Sequence, residues 1–401
     1  MVENKDKKVL NVPHLRFPEF SGEWEKCKLG DIATGFDYGM NAAAKPFDGE
    51  NKYIRITDID EASSTYIDKD IVSPDGMLTE NYLVNDRDIL LARTGASTGK
   101  SYLYRKSDGK LYYAGFLIRA NVTKHNPYFV FSQLHTHRYW SWVSIMSARS
   151  GQPGINSQEY SSFPVYVTSL REEEKISALL SLIDERIATQ NKVIEDLKKL
   201  KSAIIEEHYK QSEKQSVPVA DLGEPFSVSN LSKDDLTDTG TPCVIYGELF
   251  TTYGEIINHV ESYTKRSKGM TLSKKGDLLF PSSTTVDAVS LIAPSNINVD
   301  NVILGGDMFG IHISSNYDAQ YLSYYFNHIA KKQLAKYAKG STIIHLHYKD
   351  IEKANLLLPC LIEQNKIAHN LILLDEKIHN ENAYLQLIVK QKQYMLRHMF
   401  I

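Results

Sequence analysis

The sequence has few cysteines, little net charge and no long apolar run. Its three cysteines, Cys27, Cys243 and Cys360, are odd in number and have no metal-ligand spacing. This argues against a disulfide framework and favours a reducing compartment. No stretch reaches the roughly 18 apolar residues that a membrane span requires, and residues 1–8 lack the apolar core of a signal sequence. We therefore expect a cytoplasmic protein.

The charge balance excludes a protein that coats nucleic acid without regard to sequence. The 46 Lys and Arg residues against 49 Asp and Glu residues give a formal net charge of −3, whereas such coating requires a strong positive excess. Basic residues nevertheless cluster at 87–110, 265–275 and 331–339. Each cluster is either a solvated face or part of a local DNA-binding surface, because the local field matters more than the sum.

The chain contains an internal repeat, which is clearest in two heptad patterns. Each residue of the first pattern lies 191 positions before its counterpart in the second (367 − 176). A period of 3.5 residues is typical of a coiled-coil seam. The polar pairs Gln190/Glu381 and Lys201/Lys392 interrupt both patterns at the same places, and Gln190 and Glu381 either set the register or face a partner. The apolar seam positions are Ile176, Leu180, Ile183, Ile187, Ile194, Leu197, Ile204, Ile367, Leu371, Leu374, Ile378, Leu385, Ile388 and Met395.

The segments outside the heptads predict short strands and one aromatic-rich helix in each half. In the first half, β-like runs such as 88–92 and 116–122 precede a helix expected at 127–146 and a glycine break at 150–154. In the second half, 277–279, 307–313, 319–338 and 340–342 repeat this order. Ser169 and Glu172 have the spacing of a capping box, so the first long helix should run from there to about 211.

The predicted fold class is α+β or mixed. Two α/β domains are separated and joined by two long antiparallel coiled-coil helices, with a pseudo-twofold internal repeat. Antiparallel packing is the simplest arrangement in which each helix leaves one domain and reaches the other. A helix from Ile176 to His208 spans roughly 50 Å at ~1.5 Å per residue, which suggests domains one to one and a half DNA turns apart.

Three motifs resemble the specificity subunit of type I restriction-modification enzymes. The first is Pro13-His14-Leu15-Arg16-Phe17-Pro18-Glu19-Phe20 with Glu23-Trp24 and Lys28-Leu29-Gly30-Asp31-Ile32. The second is Asp88-Ile89-Leu90 followed by Arg93-Thr94-Gly95 and Gly99-Lys100. The third is Leu361-Ile362-Glu363-Gln364-Asn365-Lys366-Ile367-Ala368 with Leu374-Asp375, present in weaker form at 170–176. Their order recurs about half a chain apart.

The resemblance implies a non-catalytic subunit of a type I restriction endonuclease and adenine-N6 methyltransferase. Each target-recognition domain would read one half of a split, asymmetric site in double-stranded DNA. The helices would hold two methyltransferase subunits, and restriction subunits would complete the nuclease. S-adenosylmethionine, ATP and Mg are then expected on the partners and no cofactor on this chain. The implied boundaries are an N-terminal tail at 1–20, recognition domains at 21–168 and 213–360, a central helix at 169–212 and a C-terminal helix at 361–401.

Candidate DNA contacts in the first domain lie in the loop after 88–92 and at the glycine break. The loop at 95–101 is one residue short of a phosphate-binding loop, because Thr94 stands where glycine is required. We favour a turn whose backbone approaches a DNA phosphate over ATP binding, and a hairpin that contacts nothing is the alternative. Gln and Asn can pair with adenine, and Arg with guanine. The predicted contacts are Arg93, Thr94, Ser97, Thr98, Lys100, Arg149, Ser150, Gln152 and Asn156.

The equivalent loop of the second domain has different chemistry. Residues 281–287 lack the arginine, lysine and glycines of the first loop, which would suit two halves that read different bases. His345 and His347 have the spacing of a weak metal pair, but a DNA contact is an equal candidate and we predict no metal. The predicted contacts are Ser282, Ser283, Thr284, Lys339, Ser341, Thr342 and His345.

Two further patterns have a structural and a functional interpretation. Asn126-Pro127-Tyr128 resembles part of the NPPY motif of adenine methyltransferases, but a helix N-terminus with Asn126 as its cap is favoured. The aromatic residues between Tyr128 and Trp142 are expected to be core rather than a base-stacking platform. The competing function classes are a stand-alone nuclease or nucleoside triphosphatase, and a coiled-coil scaffold without a DNA role.

Overall fold

A computed structural model describes residues 11–148 and 153–401. The fold divides into two compact units, which we call unit 1 (Met1–Asn191 with Ala383–Ile401) and unit 2 (Lys192–Asn382). The predicted boundaries make each long helix a segment of its own, whereas each compact unit contains part of both helices. None of the described helices is long and apolar enough to cross a membrane.

The described elements of the first half are short strands and helices followed by one long helix. The strands are β1 (Glu25–Lys28), β2 (Ala33–Tyr38), β3 (Ala43–Pro46), β4 (Lys52–Ile54), β5 (Val72–Asp75), β6 (Asp88–Ala92), β7 (Ser101–Leu103), β8 (Leu111–Tyr113), β9 (Leu117–Val122) and β10 (Pro164–Val167). The helices are α1 (Leu29–Ile32), α2 (Pro127–Gln133), α3 (His137–Ser147), α4 (Ser157–Ser161) and α5 (Leu170–Gln211).

The central sheet of unit 1 has the strand order β2-β9-β6-β7, with antiparallel neighbours throughout. All five residues of β6 are buried, as expected for a short apolar run covered on both faces. Because side chains alternate along a strand, Ile89 and Leu91 join the core under the helices. Leu90 and Ala92 join a second core on the opposite face.

The second half repeats the pattern with more strands. They are β11 (Gln215–Pro218), β12 (Gly223–Ser227), β13 (Leu236–Thr237), β14 (Thr241–Ile245), β15 (Ile256–Ile257), β16 (Ser262–Thr264), β17 (Thr271–Leu272), β18 (Asp277–Pro281), β19 (Ser283–Thr284), β20 (Ser295–Ile297), β21 (Ile303–Gly305), β22 (Met308–Ile313), β23 (Ile344–His345) and β24 (Asn355–Leu358). The helices are α6 (Glu248–Thr251), α7 (Ala288–Leu291), α8 (Ala319–Tyr325), α9 (Lys331–Leu334), α10 (Tyr348–Ile351) and α11 (Leu361–His398).

Unit 2 contains two five-stranded sheets, of order β12-β22-β18-β20-β15 and β13-β16-β14-β21-β17. The first of these corresponds to the central sheet of unit 1. Asp88 of β6 pairs with Asn121 of β9, and Asp277 of β18 pairs with His312 of β22. Burial raises the pKa of both aspartates, although each side chain is hydrogen-bonded to its cross-strand partner. The internal repeat is therefore visible in the strand register.

The two long helices run antiparallel where they meet inside each unit. In unit 1, Ile176 and Leu180 share a core cluster with Leu396 and Met399. In unit 2, Ile205 packs in the cluster that contains Ile367 and Leu371. The beginning of one helix thus meets the end of the other in both units. Every predicted seam position is buried or partly buried.

The helix predicted at 127–146 is interrupted. Asn126 caps α2 by accepting from the backbone amides of Tyr128 and Phe129, as the sequence predicts. Thr136 then caps a separate helix, α3, by accepting from the amide of Tyr139. The segment predicted as a helix at 319–338 is also divided, into α8, a π-helical turn, α9 and a 3-10 turn.

Candidate nucleic-acid interface

Two segments of unit 1 that the sequence predicts separately meet at one end of the central sheet. Thr94 forms a β-bridge with Gly154. The amide of Gly95 donates to the carbonyl of Pro153 over 3.1 Å, and the amide of Ile155 donates to the carbonyl of Arg93 over 2.9 Å. The loop after β6 and the segment after the glycine break therefore form one surface, which we call the unit 1 loop surface.

Arg93 leaves the end of β6 and stacks on Tyr38. The Cζ atom of Arg93 lies 4.6 Å from the centroid of the Tyr38 ring, and its Nη1 is 3.4 Å from the carbonyl oxygen of Gly115. The hydroxyl of Tyr38 accepts from the amide of Ser157 over 3.3 Å. The hydrogen bond with Ser157 lowers the pKa of Tyr38. Sequence reasoning missed Tyr38, because only the pairing of β2 with β9 places it beside a loop that is distant in sequence.

The structure corrects several predicted contacts of unit 1. Thr98 is buried, and its hydroxyl donates to the carbonyl of Gly95 over 2.8 Å. Asn156 caps α4, with its side chain accepting from the amide of Glu159, and Lys100 lies 3.4 Å from the carboxylate of Glu61. Thr98 and Asn156 have structural roles, so we leave them out of the proposed surface, whereas Lys100 is partly exposed and stays a candidate. Ser97 remains partly exposed, whereas Arg149, Ser150 and Gln152 lie outside the described residues.

The loop after β6 does not have the geometry of a nucleotide-binding loop. Gly95–Ser97 forms a single 3-10 turn, and the chain then enters strand β7. A phosphate-binding loop instead runs from a strand into a helix whose N-terminus receives the phosphates. Gly99 has a φ of +93° and lies against α3, where an added Cβ would be 2.8 Å from a methyl carbon of Val143. Gly99 thus serves close packing, whereas Gly95, with a φ of +69°, has open space where a Cβ would lie.

The corresponding loops of unit 2 also meet. Ser283 pairs with His345 across β19 and β23, and the amides of Lys339 and His345 donate to each other's carbonyls. Lys339 and His345 are exposed, as are Ser341 and Thr342 in the turn between them. We call this group the unit 2 loop surface. The amide of Leu346 donates to the carbonyl of Ser282, just as the amide of Ile155 donates to the carbonyl of Arg93 in unit 1. The two loop surfaces therefore occupy equivalent places beside their sheets.

Two predicted contacts of unit 2 are corrected. Ser282 is 3% exposed and Ser283 is 8% exposed, because the strand pairing with β23 covers them. Thr284 is partly exposed and stays a candidate. The rings of His345 and His347 stack with centroids 6.2 Å apart, while Asp350 is paired with Lys339. Within 11–148 and 153–401, no group of three or more His, Cys, Asp or Glu side chains is arranged to hold a metal.

A lysine, an aspartate and a tyrosine, each buried or partly buried, connect the short helices to the long helices in each unit. In unit 1, Lys392 of α11 lies 2.6 Å from Asp184 of α5, which also accepts a hydrogen bond from Tyr128 of α2. In unit 2, Lys201 of α5 lies 2.7 Å from Asp375 of α11, and Tyr324 of α8 donates to the same carboxylate over 2.6 Å. Burial raises the pKa of both tyrosines far above its usual range. At the lysine positions that interrupt the heptads, Lys392 in unit 1 and Lys201 in unit 2, the side chain thus forms an ion pair with the other long helix.

Unit 2 adds a glutamate and a histidine to this network. Glu255 accepts from Lys201 over 2.9 Å and lies 2.8 Å from His328. Burial alone would raise the pKa of Glu255, but the bond from His328 and the charge of Lys201 prevail and lower it to about 2. In unit 1 the histidine at the corresponding place, His135, bonds to the hydroxyl of Ser64 instead. Burial lowers the pKa of His135 to about 4.

The aromatic residues of α2 and α3 are mainly core. Phe129, Phe131 and Tyr139 are buried, and the Tyr139 ring packs edge-on against Phe163 at 5.1 Å. Trp140 is the exception, with 44% of its surface exposed. The side-chain oxygen of Asn126 is occupied by two amides of its own helix and by the hydroxyl of Ser177. This confirms the cap interpretation of the Asn-Pro-Tyr motif.

Curated relatives match the chain over almost its whole length. The MjaVIII type I restriction enzyme specificity subunit of Methanocaldococcus jannaschii is 23% identical over 419 residues, covering 98% of this chain and 95% of the relative. The putative MjaX type I specificity subunit of the same organism is 24% identical over 425 residues, covering 97% of this chain and 95% of the relative.

Solved structures show the same fold. The S subunit of a type I restriction-modification system from M. genitalium has a TM-score of 0.62 at 14% identity, covering 97% of this chain and 99% of the other. A chain from a study of complex assembly and conformational transition of the type I R-M system has a TM-score of 0.56 at 13% identity, covering 94% and 98%. The family described as type I restriction modification DNA specificity domain matches residues 21–199 and 211–391. The chain therefore belongs to the type I restriction-modification DNA specificity family, with one copy of the family domain in each half.

Proposed function

We propose that this specificity subunit directs adenine methylation to a two-part, asymmetric DNA site, with one half read by each unit. The observation that carries the proposal is the repeated loop surface. Both surfaces follow the same strand of the repeated sheet, yet their side chains differ. Equivalent position gives each unit the same approach to DNA, whereas different side chains give each unit its own base preference.

The unit 1 loop surface offers Arg93, Thr94, Ser97 and Lys100, and the unit 2 loop surface offers Thr284, Lys339, Ser341, Thr342 and His345. Arginine and the small hydroxyl side chains can bond to base edges or phosphates. Lysine is suited to phosphate contacts, which set the register of the protein on the duplex. The weak overall negative charge supports recognition through local surfaces rather than through a general attraction to DNA.

In this proposal the chemistry of methylation and cleavage belongs to partner subunits. The Asn-Pro-Tyr motif supports this assignment, because Asn126 is fully engaged as a helix cap and is not free to hold a target base. S-adenosylmethionine, ATP and Mg would then bind to the methyltransferase and restriction subunits. This chain would supply the DNA specificity and the surfaces on which those subunits assemble.

The long helices are the proposed docking surfaces for two methyltransferase subunits. Leu182 of α5 is 62% exposed, and Leu373 of α11, 191 positions later, is 51% exposed. Two equivalent apolar side chains that face outward from equivalent helices suit two copies of the same partner.

The proposal is tested by mapping methylated adenines in a host that lacks the gene. The chain is co-expressed with the methyltransferase subunit of its own system, and the methyltransferase alone is the control. We expect methylation at a motif with two separated specific parts only when the chain is present. Methylation that is unchanged by the chain would favour a scaffold without a DNA role, and DNA cleavage or ATP turnover by the purified chain would favour a stand-alone enzyme.

A further inference from the structure

We propose that Arg93, held by Tyr38, reads a guanine in the half-site of unit 1 and that unit 2 has no equivalent arginine. This inference rests on the proposed function and names one of its reading groups. Tyr38 acts as a positioning residue, because its ring fixes the guanidinium that contacts the base. The inference starts from the geometry of the central sheet.

Tyr38 ends β2 and Arg93 directly follows β6, the two strands on either side of β9. Tyr38 ends β2 and pairs with Ile118, and Ala92 ends β6 and pairs with Leu117. Both strands therefore finish at the same end of the sheet, and the next residue after β6 is Arg93. The guanidinium reaches across β9 to the Tyr38 ring, 4.6 Å from its centroid.

The tyrosine is itself fixed on its far side. Its hydroxyl accepts from the amide of Ser157 at the start of α4, and 41% of its surface is exposed. A ring anchored in this way presents a flat face that limits the conformations of Arg93. An arginine that is ordered before binding loses less conformational entropy when it forms a two-pronged contact.

Arg93 keeps hydrogen-bonding capacity for a ligand. Among the described residues no carboxylate forms an ion pair with it, and the one hydrogen bond of its guanidinium, to the carbonyl of Gly115, is long at 3.4 Å. Arg119 in the same sheet is the contrasting case, since it lies over Tyr113 but is paired with Asp37 at 3.1 Å. A planar guanidinium that has no carboxylate partner can donate two hydrogen bonds to the O6 and N7 acceptors of guanine in the major groove.

The register of unit 2 shows that the pair is specific to unit 1. Ser227 ends β12 opposite Phe309, and Pro281 ends β18 opposite Met308. Ser227 thus occupies the place of Tyr38, and Ser282, which follows β18, occupies the place of Arg93. Ser282 is 3% exposed. Unit 2 would therefore read DNA with other groups of its loop surface, those around Lys339 and His345. The guanine is expected in one half-site only.

The test uses the reconstituted complex with its methyltransferase and a panel of duplexes that carry every base at each position of the methylated motif. Arg93→Lys keeps the charge but loses the planar fork. We expect it to lower discrimination for guanine at one position of one half-site by roughly 5- to 140-fold, the range for a two-pronged contact at ~1.4 kcal/mol per tenfold. The other positions should keep their preference.

Variants of Tyr38 separate positioning from folding. Tyr38→Phe keeps the ring but loses the bond to Ser157, so it should keep most of the discrimination, whereas Tyr38→Leu should relax the same position as Arg93→Lys. Arg105→Lys, at an exposed arginine of unit 1, is the matched control and should leave all positions unchanged. Relaxation of that position by the control would overturn the inference, because the effect would then reflect general loss of structure in unit 1.

Two further results would also overturn it. A uniform loss of methylation on all sequences, with a salt dependence reduced by about one phosphate contact, would show that Arg93 binds the backbone. Unchanged discrimination in Arg93→Lys, on a wild-type complex that recognises a two-part motif, would show that another group reads this half-site. A wild-type complex without a two-part motif would instead refute the proposed function itself.

Discussion

Replacing Lys201 by methionine should destabilise unit 2 more than the same change at Lys392 destabilises unit 1. The Nζ atom of Lys201 lies 2.7 Å from Asp375 and 2.9 Å from Glu255. Its side chain is 10% exposed, so methionine of similar length would fill the space but leave two carboxylates without their cation. Lys392 has Asp184 as its carboxylate partner at 2.6 Å, so replacing Lys392 leaves one carboxylate without its cation.

The size of the effect follows from burial. Removing one partner of a buried ion pair costs roughly 3–5 kcal/mol. The Asp375 side chain is 34% exposed and that of Glu255 is 19% exposed, which places Lys201→Met near the lower end, at about 3 kcal/mol. For a unit of this size, that corresponds to a fall of roughly 6–12 °C in its melting temperature. We expect Lys392→Met to cost about half as much.

Calorimetry of the whole chain measures the loss of stability in each lysine variant. Hydrogen exchange then assigns each unfolding transition to unit 2, residues 192–382, or to unit 1. Adding Glu255→Gln to Lys201→Met should recover part of the loss, because one uncompensated charge is removed. Equal destabilisation by the two lysine variants would refute the reasoning, as would a Lys201→Met protein that melts like wild type.

The same network gives unit 2 an acid sensitivity. The pKa of Glu255 is lowered from 4.5 to about 2, so its contribution to stability is complete above pH 4.5 and is lost as the pH falls toward 2. At 1.36 kcal/mol per pKa unit the contribution is about 3 kcal/mol. The difference in unfolding free energy between wild type and Glu255→Gln should therefore shrink as the pH falls from 6 to 2.

Three further predictions concern the loop surfaces and the helices. Gly99→Ala should destabilise unit 1 by about 1–3 kcal/mol, because its φ is +93° and the new Cβ would meet Val143; an unchanged melting temperature would contradict this. Leu182→Glu with Leu373→Glu should weaken assembly with the methyltransferase, measured by analytical ultracentrifugation, without altering the fold; assembly equal to wild type would remove these residues from the interface. Lys339→Ala should weaken DNA binding uniformly and reduce the salt slope by ~0.9; a loss confined to one base pair would show base reading instead.

The sequence predicts the repeat and the helices well because both depend on local periodicity. The heptads place Lys201 and Lys392 in the seam. In the structure Lys201 is buried and Lys392 is partly buried. The cap at Asn126 is predicted for the same reason, since a cap bonds to amides two and three residues away. Patterns of this kind need no knowledge of tertiary contacts.

The details of the loop surfaces depend on pairings between distant segments and were harder to predict. Tyr38 reaches Arg93 only through β9, and no spacing in the sequence connects them. Ser282 reads as an exposed loop serine, yet the strand pairing beside it covers its side chain. The partners of Lys201 likewise come from α11 and from the loop that carries Glu255.

The measurement that tests the account most directly is genome-wide mapping of methylated adenines with three forms of the chain: wild type, Arg93→Lys and His345→Ala. Wild type should methylate a two-part motif. Arg93→Lys should relax one half of it only, and His345→Ala should relax the other half only. A motif without two parts, or two variants that alter the same half, would contradict the assignment of one half-site to each unit.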